Sequence, residues 1–228
     1  MQDRIVYEDN HILVINKLPS EIVQGDKTGD VPLTEKVKEF IKVRDHKPGN
    51  VFCGLTHRLD RPVSGLIIFA KTSKALSRFN EIFRNKDIKK KYLAVTANKP
   101  PLQSDKLIHW LKKNEKSNTS IVYSKETTDG LRAELDYEHL HSSDHYHLLL
   151  ISLHTGRHHQ IRAQLASLNC PIKGDVKYGA KRGNDGGFIH LHSYELTFMH
   201  PIKKEPIHLT CLPAFSDPVW DFFHQKMI

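Results

Sequence analysis

Short apolar runs and helical spacings alternate along this chain, and together they predict its elements. The runs RIVYE and HILVINK, separated by Asp9 and Asn10, predict two neighbouring strands at the start of the chain. Further strands are predicted where β-branched and aromatic residues cluster between turn signals, in SGLIIFAK, KKKYLAVT, RAELDYEHL, YHLLLISLH and FIHLHSYELTF.

Three other segments place apolar side chains at the spacing of an amphipathic helix. The second of these helices begins after Thr72 or Ser73, either of which is a suitable N-cap. The third lies within HHQIRAQLASLN and ends near Asn169 and Pro171. The three apolar stripes comprise Leu33, Val37, Phe40 and Ile41; then Ala75, Leu76, Phe79, Ile82 and Phe83; and then Ile161, Leu165 and Leu168.

Because strands and helices mix without a strict alternation, the pattern predicts an α+β fold. We expect a single domain, residues 1–228, around a mixed, largely antiparallel β-sheet flanked by helices and loops. The segment 102–130 is polar and has little pattern. Within it NEKSN predicts an exposed loop, and KRGNDGG further along the chain predicts a flexible loop.

Composition narrows the classes of partner. The chain has 228 residues, 39% of them hydrophobic, which suffices for a buried core. It carries 34 Lys and Arg against 26 Asp and Glu, a formal charge of +8, and 16 histidines. This charge favours nucleic acid as the partner, although an excess of lysine that only aids solubility explains it equally well.

The sequence lacks the signals of secreted and membrane proteins. Charges at Asp3, Arg4 and Glu8 interrupt the N-terminal segment, which is therefore not a signal peptide, and no run approaches about 18 apolar residues. The cysteines are odd in number and too widely spaced for a metal knuckle: Cys53, Cys170 and Cys211. We therefore expect a cytoplasmic protein that binds no membrane.

The segment THRLDRPVSGLIIFAK places Asp60 between Arg58 and Arg61, just before a predicted buried strand. Residues two apart in an extended segment point to the same side, so Arg58 and Asp60 lie together while Arg61 points away. A nearby opposite charge keeps a carboxylate ionised, which a structural salt bridge and a nucleophile both require. On spacing alone, the salt bridge is the commoner interpretation.

Arg162 lies on or beside the apolar stripe of the third predicted helix. Burying an unpaired guanidinium costs several kcal/mol, so an arginine at this position needs a carboxylate. Asp60, at the start of an apolar strand, is the first candidate for that partner, and Asp136 and Asp175 stay open beside it. The alternative is that Arg162 extends to solvent, which is commoner for an isolated arginine at the edge of a stripe.

Tyr92 directly follows Lys89, Lys90 and Lys91 in a predicted strand. An aromatic ring beside several cations suits stacking on a base next to phosphate contacts. Considered alone, however, a strand tyrosine is more often an ordinary part of a sheet.

Three H-x-H pairs suggest a metal site, because alternate strand residues face one side and can chelate an ion. No HExxH motif, cysteine cluster or glycine-rich phosphate loop accompanies them. We therefore predict no metal and no nucleotide cofactor. The pairs are His139 with His141, His145 with His147, and His190 with His192.

Taken as a set, the motifs resemble one family. The segments HRLDRPVSGLIIFAK, KKKYLAV, TGRHHQIRAQLA, PIKGDVKYG and LHSYELTFMHP occur in the order and rough spacing of the RluA-type pseudouridine synthases. The resemblance implies the pseudouridine synthase fold and an isomerase that acts on RNA without a cofactor. Such an enzyme breaks the C1′–N1 bond of a uridine and rejoins C1′ to C5.

The resemblance also implies roles for individual residues. Asp60 is similar to the catalytic aspartate, which either attacks the ribose or abstracts its 2′ proton. Tyr92 is similar to the tyrosine that stacks on the target base and takes the proton from C5. Arg162 resembles the basic partner of the aspartate, and Arg58, with His57, belongs to the segment that replaces the flipped uridine in its helix.

The remaining RNA contacts are expected from Lys89, Lys90, Lys91, Arg157 and a lysine-rich loop near Lys112 and Lys113. The first strands begin at once, so no S4-type RNA-binding module is expected upstream, and the enzyme is expected to be a monomer. One departure from the family is NKLPSEIVQGD, where leucine displaces the proline of NKP-x-G. It changes the geometry expected of that loop but none of the residues named above.

Two alternatives belong to other functional classes. The first is a catalytically silent RNA-binding protein of the same fold, and the second is a metal-dependent hydrolase built on the histidine pairs. The presence of Asp60, Tyr92 and Arg162 together favours the enzyme over the silent protein. No feature of the sequence selects ribosomal or transfer RNA, or the position of the uridine.

Overall fold

The computed structural model of the chain describes residues 1–25 and 28–227. Asp26, the last residue of the segment NKLPSEIVQGD, therefore lies outside the described residues. The chain forms two compact units. The first comprises Met1–Ile88 and Ser193–Phe215, and the second comprises Lys89–His192 and the C-terminal segment that begins at Ser216.

In the residues described, the α-helices of the first unit are α1 (Leu33–Arg44) and α2 (Ser73–Asn85). Its strands are β1 (Ile5–Glu8), β2 (Ile12–Lys17), β3 (Gly54–Leu55), β4 (Ser64–Ala70), β10 (Leu191–Met199, in this unit from Ser193) and β11 (Pro206–Thr210). Neighbouring strands follow the order β1, β2, β4, β10, while β3 pairs with β4 and β11 pairs with β10.

The core of this unit forms where two apolar strands meet the stripe of α2. All residues of β2 and β4 are buried, and the strands pair antiparallel from Ile12 opposite Ala70 to Lys17 opposite Gly65. Phe79 of α2 packs into the same cluster as the even-numbered apolar residues of β2 and β4. Gly65 has a φ of 111°, and a Cβ there would overlap the carbonyl oxygen of Ser193, so the close approach requires glycine.

The sequence predicted the start of α2 correctly. Thr72 is its N-cap, and its Oγ1 accepts a hydrogen bond from the Ala75 N–H at 3.2 Å. The helix ends at Lys86, whose backbone is left-handed. Both ends of α2 are thus determined by residues of the helix itself and its neighbours in sequence.

The second unit contains α3 (Gln160–Ser167) and α4 (Pro218–Met227). Its strands are β5 (Ile88–Thr96, in this unit from Lys89), β6 (Ser104–Asn114), β7 (Thr119–Tyr123), β8 (Leu131–Ser142) and β9 (His147–Leu153). They follow the order β5, β9, β8, β6, β7. The pairs β5–β9, β9–β8, β8–β6 and β6–β7 are all antiparallel.

The weakly patterned segment 102–130 is more regular than predicted. It holds β6 and β7, which form a hairpin around the turn that follows Asn114. Only Leu107 and Leu111 of β6 are buried, so the strand shows no clean alternation. It is stabilised by its pairing with β8, which runs from Ser104 opposite Glu138 to Leu111 opposite Leu131. NEKSN is confirmed as the exposed turn.

An aspartate and a histidine fasten α4 within the second unit. Asp217 Oδ1 accepts hydrogen bonds from the N–H groups of Val219 and Trp220, each at 3.0 Å, and lies 2.8 Å from His190 Nε2. The buried His190 ring stacks on Trp220 at 5.2 Å. Burial opposes ionisation of Asp217, but the hydrogen bonds from His190 and Trp220 outweigh it and lower the pKa of Asp217 to about 2.

We expect Asp217→Asn to lower the free energy of unfolding at pH 7 by about 1 to 2 kcal/mol, allowing for partial solvent screening. Since the folded-state pKa is depressed, the stabilisation is present above the unfolded pKa of about 3.9 and is lost as pH falls toward 2. Urea unfolding at pH 7 and pH 3 measures both effects. Asp144→Asn, at an exposed turn, is the control, and a pH-independent difference would contradict the prediction.

The structure confirms the α+β class and the largely antiparallel pairing predicted from the sequence. The chain's assignment to one domain, residues 1–228, stays a prediction beside the two units. Among residues 1–25 and 28–227, no helix is both long and apolar enough to cross a membrane.

Candidate active site

The first unit carries Asp60 on a tight turn just before β4. The Val63 N–H donates to the Asp60 carbonyl oxygen at 3.0 Å, which closes the turn. Upstream, Thr56 Oγ1 donates to the Ile68 carbonyl at 2.8 Å, and the Ile68 N–H donates to His57 Nε2 at 3.1 Å. The segment that leads to Asp60 is therefore fastened along β4 by side chains.

Lys17, which the sequence analysis did not single out, lies beneath this turn. Its side chain is fully buried. Nζ donates to the carbonyl oxygens of Val63 at 2.6 Å, Leu18 at 3.0 Å, Arg61 at 3.2 Å and Asp60 at 3.5 Å. The Lys17 side chain thus binds three carbonyls of the Asp60 turn and the carbonyl of Leu18, which directly follows β2.

The charge of Lys17 is coupled to nearby carboxylates. Burial lowers the pKa of Lys17 to about 7, while the carboxylates of Glu21 and Asp60 act in the opposite direction. The sequence does mark Lys17 in one way, because this lysine ends an apolar run. At such a position the side chain is either buried with the run or extends to solvent. Three of its four carbonyl partners lie more than 40 residues away in sequence, so the pattern alone does not identify them.

The two arginines beside Asp60 differ in their surroundings. Arg61 Nη2 lies 2.6 Å from Asp30 Oδ2, and this ion pair is exposed. Arg58 is exposed as well. His57 is held more tightly, because Nε2 accepts from the Ile68 backbone and its ring lies 5.2 Å from that of Phe83.

The second unit carries Tyr92 in β5, where it is 6% exposed and pairs with Ile151 of β9. Of the lysines before it, Lys89 is exposed, whereas Lys90 and Lys91 are partly buried. Burial lowers the pKa of Lys90. Its Nζ lies 3.6 Å from the position that a Cβ on Gly156 would occupy, so Lys90 approaches the TGR turn.

Arg162 is the basic residue for which the sequence left two alternatives open, burial beside a carboxylate or extension to solvent. It is 5% exposed and lies in α3, where every residue from Gln160 to Leu165 is buried. Its Nε and Nη2 donate to Oδ2 and Oδ1 of Asp175 at 2.7 and 2.8 Å. Asp175, one of the three candidate partners, is itself 1% exposed. The guanidinium therefore does not extend to solvent.

The other predicted RNA contacts take part in local bonds. Arg157 Nε donates to the Arg132 carbonyl at 2.9 Å. Lys112 pairs with Asp129 at 2.8 Å and Lys113 with Glu115 at 2.7 Å. The prediction of a lysine-rich loop was wrong in one respect, because Lys112 and Lys113 lie in β6.

The histidine pairs take different structural roles. His139 Nε2 and His147 Nδ1 lie 2.9 and 2.8 Å from the Ser142 hydroxyl, and a bulge separates His139 from His141 in the pairing of β8. His190 is bonded to Asp217. In the part of the chain that the structure describes, no three His, Cys, Asp or Glu side chains are grouped to hold a metal ion.

Comparison with known proteins identifies the family. The family model described as RNA pseudouridylate synthase matches residues 11–167, which include Asp60, Tyr92 and Arg162. A tRNA pseudouridine synthase C of Haemophilus influenzae is 32% identical, over 95% of this chain and 94% of its own length. A ribosomal large subunit pseudouridine synthase C of Buchnera aphidicola is also 32% identical, over 90% of this chain and 65% of its own.

The fold agrees with this comparison. The solved structure titled Human RNA Pseudouridylate Synthase Domain Containing 4 superposes with a TM-score of 0.79 at 23% identity, covering 99% of this chain and 94% of the human one. The chain belongs to the RNA pseudouridylate synthase family, and it is an RNA pseudouridine synthase, an isomerase. The resemblance to the RluA-type enzymes is thereby confirmed.

Proposed function

We propose that this enzyme converts specific uridines of ribosomal or transfer RNA to pseudouridine, with Asp60 as the catalytic carboxylate. The observation that carries the proposal is the family match over residues 11–167, which contain the HRLD and TGRHHQIR motifs intact. Relatives named for transfer RNA and for the ribosomal large subunit support both substrate classes and a place in the cytoplasm, where these RNAs are found.

The reaction rearranges bonds within one nucleotide. The C1′–N1 bond breaks, C1′ joins C5, the proton on C5 leaves, and N1 gains a proton, so no oxidant, reductant or nucleotide is consumed. Asp60 starts the reaction either by attacking C1′ or by removing the 2′ proton. A carboxylate that stays ionised while partly removed from water is activated for either step. The two units act as one catalytic domain in this proposal.

Tyr92 and Arg162 complete the proposed machinery. Tyr92 stacks on the uracil and accepts the proton from C5. Arg162 acts as the basic partner of the Asp60 carboxylate. The family match, which includes both Asp60 and Arg162, supports this role.

Base flipping and RNA binding are assigned to the exposed Arg58 and Lys89 and to the partly buried Lys90, Lys91 and Arg157. Arg58, which is exposed and follows the fastened His57, fills the space left by the flipped uridine. Lys89, Lys90, Lys91 and Arg157 contact the phosphate backbone, so binding is expected to weaken as salt rises. His57 contributes by fixing where the Arg58 segment begins.

Tritium release tests the proposed function with the purified protein. Ribosomal and transfer RNA labelled at C5 of uridine are isolated from cells that lack the gene, and each is incubated with the enzyme. Release of tritium to water from at least one RNA is expected. If the protein binds these RNAs and releases no tritium from either, it is a silent RNA-binding protein of the same fold.

A further inference from the structure

The segment PIKGDVKYG, residues 171–179, forms a compact turn in the second unit that places two side chains against Arg162. The Asp175 N–H donates to the Ile172 carbonyl and the Tyr178 N–H donates to the Asp175 carbonyl, each at 3.0 Å. Gly174 has a φ of 87°, and a Cβ there would collide with the side chain of Asn184. The backbone is thus shaped to hold Asp175 and Tyr178 in place.

Asp175 fixes the plane of the Arg162 guanidinium. The Nε–H and Nη2–H groups meet the two carboxylate oxygens at 2.7 and 2.8 Å, so the bond is bidentate. Both side chains are almost fully buried, which makes their separation costly. Because the guanidinium is planar, a bidentate bond to its Nε–Nη2 edge also determines the direction in which Nη1 points.

Tyr178 restrains the same group from a second direction. The guanidinium carbon of Arg162 lies 5.1 Å from the centre of the Tyr178 ring, within the range of a cation–π contact. The Tyr178 hydroxyl accepts the Ser120 N–H at 2.7 Å and lies 2.9 Å from His159 Nδ1. Burial raises the pKa of Tyr178, so the hydroxyl keeps its proton. The ring is thereby tied to β7 and to the N-cap of α3.

We propose that Asp175 and Tyr178 are positioning residues, which act on the reaction by holding Arg162 in one orientation. The inference rests on the proposed function, in which Arg162 takes part in catalysis. An arginine side chain has several rotatable bonds and can adopt many orientations. When the plane of its guanidinium is fixed before the RNA binds, the reaction is slowed less by misoriented conformations.

Single-turnover rates with a double-mutant cycle test this inference. Asp175→Asn keeps the shape of the side chain but removes its charge, and we expect the rate to fall about 10- to 100-fold. Tyr178→Phe keeps the ring and loses the hydroxyl bonds, with an expected loss of about 5-fold. In both variants the Kd for RNA should stay unchanged. Matched controls are Asp185→Asn, in an exposed loop, and Tyr123→Phe.

The cycle separates positioning from general stability. In an Arg162→Lys background, adding Asp175→Asn is expected to cause no further loss of rate, because both changes disturb the same group. Equal losses in both backgrounds would overturn the inference, as would a wild-type rate for Asp175→Asn. All rates are measured below the melting transition. Should Asp175→Asn not fold, the same cycle with Tyr178→Phe decides the matter.

The outcome distinguishes this inference from the proposed function. If Arg162→Lys is inactive while Asp175→Asn and Tyr178→Phe react at the wild-type rate, only the positioning role is overturned. If Arg162→Lys itself reacts at the wild-type rate, the catalytic role of Arg162 fails, and the positioning role fails with it.

Discussion

Replacing Asp60 by asparagine is expected to leave the protein folded and to lower the rate of uridine conversion by about 1,000-fold or more. An amide has nearly the shape of the carboxyl group, but it neither attacks C1′ nor removes a proton. The backbone bonds that shape the turn, from Val63 N–H to Asp60 O and from Lys17 Nζ to the turn carbonyls, do not involve the carboxylate. Tritium release under single-turnover conditions measures the effect.

The matched control is Asp87→Asn, because Asp87 is an exposed aspartate of the same unit. It should react at the wild-type rate. The Kd of Asp60→Asn for RNA is expected to stay close to that of the wild type, since the phosphate contacts are made by other residues. An Asp60→Asn protein that is folded and reacts at the wild-type rate would show that Asp60 is not the catalytic carboxylate.

Replacing Lys17 by methionine is expected to lower both stability and rate. Methionine fills much of the space but donates no hydrogen bond, so the carbonyls of Leu18 and Val63 lose the donor bonded to them at 3.0 and 2.6 Å. Each buried acceptor left without a donor costs about 1 to 3 kcal/mol, and we expect a loss of about 2 to 4 kcal/mol in the free energy of unfolding. Urea unfolding measures this loss.

The kinetic effect of Lys17→Met follows from the Asp60 turn. When the turn is no longer held from below, the carboxylate samples more positions, and misplacement by about 1 Å can reduce the rate about 100-fold. Lys36→Met is the control, because the Lys36 side chain is 43% exposed although it lies 3.8 Å from Glu21. Unchanged unfolding and an unchanged rate for Lys17→Met would show that the four carbonyl contacts do not matter.

Elements that are determined by residues close together in sequence were predictable. The stripe and N-cap of α2 come from residues within one helix, and the burial of β2 and β4 follows from uninterrupted apolar runs. β6 was missed because only two of its side chains are buried and one of its two partners, β8, pairs with it across 20 to 34 residues of sequence. Pairing of that kind leaves little periodicity in the strand itself.

The surroundings of Arg162 were predictable only in part. Its place beside an apolar stripe indicated that a carboxylate must accompany it, and Asp175 does so. Choosing Asp175 among three aspartates required the turn at Gly174, which no spacing rule predicts. Lys17 was missed for a related reason, since its acceptors are backbone carbonyls, which every residue carries and no sequence motif marks.

Mapping pseudouridines by reverse-transcription stops after carbodiimide treatment shows whether this enzyme modifies RNA in the cell and whether Asp60 is required. Total RNA is compared among cells with the gene, without it, and with the gene restored as wild type or as Asp60→Asn. We expect at least one stop in ribosomal or transfer RNA to disappear without the gene, to return with the wild type and to stay absent with Asp60→Asn. Identical stops in all four RNAs, or stops restored by Asp60→Asn, would show that the proposed function or the role of Asp60 is wrong.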